Sequence, residues 1–377
     1  MTRRRIAYVC LQATQQGQAS HAHVHEIIAG LQRRGWDVTL YEPRYAGTGR
    51  RPPQVARLAA FLGVQVRFGL RSRLYDAVYV RDHPTALLSM LAARLWRRPV
   101  ILEMNGSPDE LPLSYPWTRH VSWLVRWASD ARIRAASSVI TNTEPLAEWV
   151  RAFQPMKSVT SIPNGADPIR FRPFGPYGAA ESYVAFAGVL AVWQGIDVLL
   201  EATRSDRWPA GLTVRIAGRG LRQPLVEAAD EGSSLVEYVG LLSYDEVPRF
   251  LAESRAALSP QVVNRERALR PRRGSPFSGA AYSMSPVKLY EGMASGVPLV
   301  VTDIPGQAEI VREADCGLVV PPGDAEALAE AIAQVVADPE AAAAMGRRGR
   351  QAVVARYSWD ARAEATDRVI RGSMRDE

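Results

Sequence analysis

Short apolar runs alternating with helical stretches constrain this 377-residue chain more than any other feature. "RIAYVCL" reads as a strand, "HAHVHEIIAGLQRRG" as a helix ending at Gly35, and "DVTLYEP" as the next strand. "YDAVYVRD", "PVILEMNG", "SSVITNTE" and "KSVTSIPNG" continue the series, with helical stretches between them. Such alternation implies parallel strands joined by right-handed crossovers. A turn-rich passage, "PNGADPIRFRPFGPYGAAES", interrupts the rhythm and reads as an interdomain connection. The pattern then restarts with "YVAFAGVL", "LTVRIAGRG", "LVEYVGLL", "AALSP", "PLVVTD" and "GLVVPP". Three helical stretches close the chain, the last opening at "YSWDARAEA", where Ser358 can cap it. The expectation is two doubly wound α/β domains, 1–165 and 166–355, with a final helix over 356–377. Ligands of such sheets bind at the carboxyl ends of strands, beside helix N-termini, so a cleft between the domains is the expected site.

Charge is unevenly spread. Residues 1–165 carry 22 Arg and Lys against 11 Asp and Glu, a balance of +11, and residues 166–377 carry 24 against 28, a balance of −4. An anionic partner is therefore expected at the first half. Within it, "RHVSWLVRWASDARIRAA" over 119–136 sets Trp123 and Trp127 one turn apart among Arg119, Arg126, Arg132 and Arg134. Such a helix can lie on a membrane or grip a lipid-linked phosphate. The alternative is a core-facing Trp pair with a solvated Arg face. Two cysteines, Cys10 and Cys316, make no disulfide framework, and no apolar run is long enough to span a bilayer. A cytoplasmic protein is expected, peripheral on the inner face of the membrane if the Trp–Arg helix docks there.

Several chemistries are excluded by what the sequence lacks: there is no Walker A lysine, no G-x-S-x-G elbow and no D-x-D for a metal-bridged diphosphate. "AGRGLRQ" has G-x-G after a strand but no third glycine. "HAHVH" puts His21 and His25 one turn apart, yet no acidic or cysteine partner is near in sequence, so a polar helix start beside the "QATQQGQAS" loop is preferred to a metal site. Gly17 in that loop allows close backbone approach to a ligand. No metal, cofactor or nucleic acid is expected.

The stretch "SMSPVKLYEGMASGVPLV" poses an electrostatic question. Ser285 reads as an N-cap and Pro286 as the first helical residue, which puts Lys288 at the third position, facing the positive end of the helix dipole. That location costs about 0.3–1 kcal/mol. Of 46 basic residues only Lys157 and Lys288 are lysine, so arginine serves wherever a generic cation would do. A compact ammonium is wanted at 288, or else Lys288 points away and pairs with Glu291 one turn on. "FAGVLAVWQGIDVLLEA" supplies a strand, a loop bearing Gly188 and Gly195, and a helix start able to hold a phosphate.

Five passages in order resemble glycosyltransferase family 4, retaining enzymes with the GT-B fold: "SIPNGADPIRFRP", "FAGVLAVWQGIDVLLEA", "YVGLLSYDEVPRFLAESRAALSP", "SPVKLYEGMASGVPLVVTDIPGQAEIV" and "YSW". The resemblance implies two Rossmann-like domains facing a cleft, with the C-terminal helix crossing back to the first. It also implies a nucleotide-sugar donor on the second domain and an acceptor on the first. Carried over, Glu291 holds the ribose as the second glutamate of the family's E-x7-E pair, and Lys288 holds the diphosphate. Gly188, Gln194 and Gly195 flank that diphosphate, with Gly17 facing it from the first domain. Ser283, Met284 and Ser285 lie at the sugar, Arg219 offers a further cation, and His21, Glu103 and Asn105 fall on the acceptor side. Lys288 and Asn105 are the candidate catalytic residues.

Four positions depart from the family's pattern. Ser283 replaces the first glutamate, Val189 and Gln194 replace the usual loop Arg and Lys, and Asn105 replaces a histidine. Lys288 can then supply one missing cation, with Arg219 or the Arg-rich loop at 262–282 supplying the other. The reading is a metal-independent, retaining transfer to an anionic or lipid-linked acceptor, or to a cell-surface glycan or natural product. A nucleotide-sugar 2-epimerase of the same fold and a non-catalytic two-domain binding protein are the alternatives.

Overall fold

The computed structural model describes residues 4–14, 19–45, 52–178, 182–262 and 284–375. The chain divides into two compact units at Pro163/Asn164, and Trp359 onward belongs to the first unit again. These breaks fall two residues before the expected 165/166 boundary and three after 355/356.

The first unit runs β1 (Arg5–Val9), α1 (Ala19–Arg33), β2 (Asp37–Tyr41), α2 (Gln54–Gly69), β3 (Ala77–Arg81), α3 (Leu87–Leu95), β4 (Val100–Met104), α4 (Leu111–Ser114), α5 (Ser122–Ala135), β5 (Ser138–Thr141), α6 (Glu144–Phe153) and β6 (Ser158–Ser161). Its strands pair in parallel in the order β2-β1-β3-β4-β5-β6. The second unit runs β7 (Tyr183–Ala187), α7 (Ile196–Ala202), β8 (Thr213–Ala217), α8 (Gln223–Gly232), β9 (Val236–Gly240), α9 (Val247–Ala252), β10 (Ala257–Ser259), α10 (Val287–Ser295), β11 (Leu299–Thr302), α11 (Ala308–Ala314), β12 (Gly317–Val320), α12 (Ala325–Ala337) and α13 (Pro339–Ala355). Its order is β12-β11-β10-β7-β8-β9, again parallel. Helices cover both faces of such sheets, so central strands such as β4 and β11 are buried along their whole length. The strand order reverses between β1 and β3 in one sheet and between β7 and β10 in the other, the kind of position where open α/β sheets take ligands.

The closing helix, α14 (Trp359–Ser373), packs on α1 of the first unit. Close approach needs Gly30, where an added Cβ would stand 2.2 Å from the Ala363 Cβ. Around that seam Trp36 Nε1 donates to Asp367 at 2.6 Å and Arg34 donates to Asp360 at 2.9 Å. Ser358, directly before α14, forms a parallel bridge with Ala166.

A buried charge secures α14 from beneath. Glu103, on β4, is fully buried and accepts from Arg362 of α14 at 3.1 Å and from Tyr8 at 3.2 Å. Arg81 lies 3.5 Å away, and His23 Nε2 contacts the same carboxylate. Burial alone would raise the Glu103 carboxyl, but its cationic neighbours hold it well below the usual range. Burial pushes His23 down to about 4 against the pull of Glu103, so His23 is neutral near pH 7 and the lasting partners are Arg81 and Arg362. Arg362 also donates to the carbonyls of Ile162 and Pro163, where the first unit's main segment ends.

Glu103→Gln would leave two arginines without their carboxylate, and breaking a buried pair costs about 3–5 kcal/mol. The first unit should then melt roughly 10 °C lower. Acid should act in the same direction. Both shifts mean that the folded state binds fewer protons than the unfolded chain. Stability is present above the ordinary His and Glu values, 6.5 and 4.5, and is lost as pH falls through them towards the depressed folded values. Calorimetry from pH 7 to pH 4 should show a declining melting temperature, with a shallower decline in His23→Gln; parallel declines would remove His23 from this account.

Candidate active site

At the second sheet's reversal, three loops meet backbone to backbone. Gly195 is left-handed at φ 73°, and an added Cβ there would stand 1.7 Å from the Pro260 carbonyl oxygen. Gly218 is as tightly placed: an added Cβ there would stand 1.8 Å from the Gly188 carbonyl oxygen. Gly188 N donates to Ala217 at 3.0 Å and Leu190 N to Arg219 at 2.9 Å, so the loop after β7 is pinned against the loop after β8. This fixes Gln194, in the short turn Val192–Gln194, beside the N-terminus of α10.

Of α10, only Lys288 and Glu291 are half-buried; every other residue is buried. Gly292 fits the helix onto the sheet, since a Cβ there would meet Leu299 at 2.8 Å and Ala257 at 2.9 Å. Lys288 and Glu291, three residues apart, share one side. The Lys288 ammonium donates to Gln194 Oε1 at 2.5 Å, lies 3.9 Å from the centre of the Phe186 ring, and is 3.8 Å from a Cβ built on Gly188. Burial pushes this ammonium down to about 7, with Glu291 pulling the other way. Burial likewise pushes the Glu291 carboxyl up to about 7, opposed by Lys288. The site therefore brings Gly188, Gln194, Gly195, Lys288 and Glu291 together. Arg219 is exposed on the neighbouring loop.

Two details of the sequence reading are corrected. The α10 cap is Pro286, so Lys288 stands second in the helix, not third, and Ser285 makes no cap bond. The buried Ser285 hydroxyl instead accepts from Asn164 N at 3.0 Å and bonds Tyr290 at 2.8 Å. A partner distant in sequence outcompeted the local cap. Lys288 also bonds Gln194 and not Glu291, which sets aside the helical-pair alternative. Met284 N donates to the Pro305 carbonyl at 2.8 Å. Gly17, Ser283 and the 263–283 part of the Arg-rich loop lie outside the described residues.

In the first unit, Glu103 is no surface ligand for an acceptor: it is the buried hub described above. Asn105, half-buried just beyond β4, donates to Glu103 at 3.3 Å, and its carbonyl accepts from Asn142 at 3.4 Å. His21 sits near the β1 end, 3.3 Å from the Thr14 hydroxyl, with its ring 4.0 Å from that of His25. Thr14 also donates to Glu42 at 3.4 Å. Glu42, whose carboxyl is raised by burial, was missed by sequence reasoning; a glutamate directly after a strand on this edge was the available signal.

Residues 181–338 match the family model described as glycosyl transferases group 1, and residues 20–170 match that of Glycosyltransferase Family 4. A glycogen synthase of Mycobacterium tuberculosis is 31% identical over 325 residues, covering 81% of this chain and 71% of its own. The chain belongs to glycosyltransferase family 4. This glycosyltransferase is also similar to a GDP-mannose-dependent alpha-(1-6)-phosphatidylinositol monomannoside mannosyltransferase of the same organism, at 29% identity over 64% of this chain and 63% of the other. Among solved structures, sucrose-phosphate synthase from Thermosynechococcus elongatus superposes with a TM-score of 0.77 at 19% identity, covering 100% of both chains. Anabaena HepE in complex with UDP gives 0.70 at 18% identity, covering 98% of this chain and 100% of that one. The fold is GT-B.

Desolvation of Lys288 should be visible in the ligand-free glycosyltransferase. Lys288→Met keeps the stem over Phe186 and removes the charge, and a gain of about 1 kcal/mol, or roughly 2–4 °C in melting temperature, is expected. The sign follows from the depressed ammonium. Its penalty is full below about 7 and vanishes as pH rises to 10.5, where the unfolded chain also loses the proton. A melting temperature lowered by a similar amount would mean that the Gln194 and Phe186 contacts outweigh burial.

Proposed function

We propose that this glycosyltransferase moves a sugar from a nucleoside-diphosphate sugar to an acceptor hydroxyl, with retention at the anomeric carbon and without a metal ion. The observation that carries the proposal is the Lys288 ammonium held at the mouth of the Gly188 loop by Gln194, with Glu291 on the same side of α10. A diphosphate is the anion whose size and charge suit that ammonium, and a carboxyl one turn on suits a ribose diol. HepE, whose structures contain UDP and UDP-glucose, shares the fold and supports a donor of this class.

In the proposed reaction, the bond between the anomeric carbon and the diphosphate oxygen breaks and charge grows on the leaving oxygens. Lys288, already fixed by Gln194 and Phe186, stabilises that charge with little reorganisation. The sugar passes through an oxocarbenium-like state. The acceptor hydroxyl attacks the same face, and its proton passes to the leaving phosphate. Asn105 serves as the acceptor-side polar group, oriented by Glu103.

The acceptor is proposed to be anionic or lipid-linked, and the enzyme to work at a membrane surface. The +11 balance of residues 1–165 supports this, as does similarity to a relative whose name specifies a phosphatidylinositol monomannoside. Among the described residues no helix is long and apolar enough to cross a membrane.

Turnover and binding test the reading separately. Proton NMR of the glycoside formed should give the donor's anomeric configuration, and EDTA should leave the rate unchanged; inversion, or loss of turnover with EDTA, would overturn retention or metal independence. Lys288→Met should lower kcat/KM by ~10²-fold or more, the scale of one lost charge-stabilising group. Binding of a nucleoside diphosphate should raise the Lys288 ammonium from about 7, so affinity should fall roughly ten-fold or more from pH 7.5 to pH 9. Lys288→Arg, always charged, should show a flat profile. A flat profile in the unmodified enzyme would remove Lys288 from the diphosphate.

A further inference from the structure

The first unit carries apolar residues on the wrong side of its helices. Fifteen of the 23 exposed large apolar side chains among the described residues fall between Val55 and Trp127. On α2, Val55, Leu58, Leu62 and Val66 form an outward stripe at helical spacing, while Val64 and Phe68 face the core. Val55 is 82% exposed. On α3, Leu88, Leu91 and Leu95 repeat the pattern, with Met90 and Ala93 inward. Trp123 and Trp127 of α5 are 70% and 55% exposed, which excludes the core-facing alternative for this pair. These helices are neighbours: α3 packs beside both α2 and α5, and Gln65 of α2 accepts from Ser89 of α3 at 3.3 Å. Several outward stripes side by side form a broad surface, not a one-helix groove.

Charge selects what such a surface meets. Neither α2 nor α3 contains an acidic residue, and residues 52–75 hold Arg57, Arg67, Arg71 and Arg73 with no Asp or Glu. Arg73 and Arg97, just after α2 and α3, and Arg119, just before α5, are exposed. Tryptophan and arginine together suit the boundary between headgroups and acyl chains, where an indole ring is half-solvated and a guanidinium meets phosphate. A second copy of this surface would set arginine against arginine.

We infer that the α2–α3–α5 surface of the first unit docks on an anionic lipid bilayer, with the outward stripes and the Trp pair entering the headgroup layer. The inference rests on the proposed membrane-side location but not on the donor chemistry.

Flotation of the full chain with vesicles tests it without turnover. Recovery on phosphatidylcholine vesicles containing a third phosphatidylglycerol should exceed recovery on phosphatidylcholine alone by at least five-fold at low salt, and should fall at high salt. Trp123→Ser with Trp127→Ser, and separately Arg73→Glu with Arg119→Glu, should each abolish the difference while leaving the melting temperature unchanged. Equal recovery on both vesicles, or recovery unaffected by either double variant, would overturn the inference. So would sedimentation showing a concentration-dependent dimer that these variants abolish, since the surface would then be a self-association face. Turnover of a water-soluble acceptor by the Trp variant separates the two readings: retained turnover with lost flotation supports docking on its own, and retained flotation in an inactive Lys288→Met enzyme does the same.

Discussion

Backbone contact at the second sheet's reversal is the constraint on which the site depends. Gly195 against Pro260 and Gly218 against Gly188 leave no room for a Cβ, so the loops after β7, β8 and β10 act as one rigid ledge. Because the ledge cannot shift, Gln194 presents its oxygen at a fixed place, and Lys288 is drawn to it from α10. Burial of nearly all of α10 completes the arrangement, since the helix cannot rotate to give Lys288 back to water. Position is secured by packing, and two polar side chains are left half-buried.

The first unit uses charge inside the core for a similar end. Glu103 replaces an apolar residue in a fully buried strand, which is costly unless it is paired. Its partners come from β3, α1 and α14, so the closing helix supplies one of the two arginines that hold the carboxylate. Arg362 also donates from Nη1 to the carbonyls of Ile162 and Pro163. A single buried ion group thus registers the last helix against the end of the unit's main segment. Asn105 rests on the same carboxylate, which links a candidate catalytic position to that registration.

All the runs quoted above as strands are strands, and the central ones were the most legible because parallel strands buried on both faces read as unbroken apolar runs. Lys288 was legible for a different reason: its rarity in an arginine-rich chain marked it before its surroundings were known. Long-range polar pairing was not legible. Nothing local links Glu103 to His23 or Arg362, and Ser285 looked like a helix cap because Asn164, its actual partner, is 121 residues away. Nor could periodicity tell that the α2 stripe faces outward, since an apolar row at helical spacing has the same pattern whichever side meets the core.

The departures from the family pattern acquire a common physical sense once Gln194 is seen to hold Lys288. The resemblance puts a lysine where this chain has Gln194. Two ammonium groups at about 4 Å repel by ~4 kcal/mol at an effective dielectric near 20, so a second cation there needs an anion between them. A neutral acceptor removes that requirement. With Gln194 in place, a single ammonium has a fixed neutral partner, and burial pushes it down to about 7. Fewer cations, better held, is a consistent alternative to a pair that mutual repulsion would spread apart in the empty site.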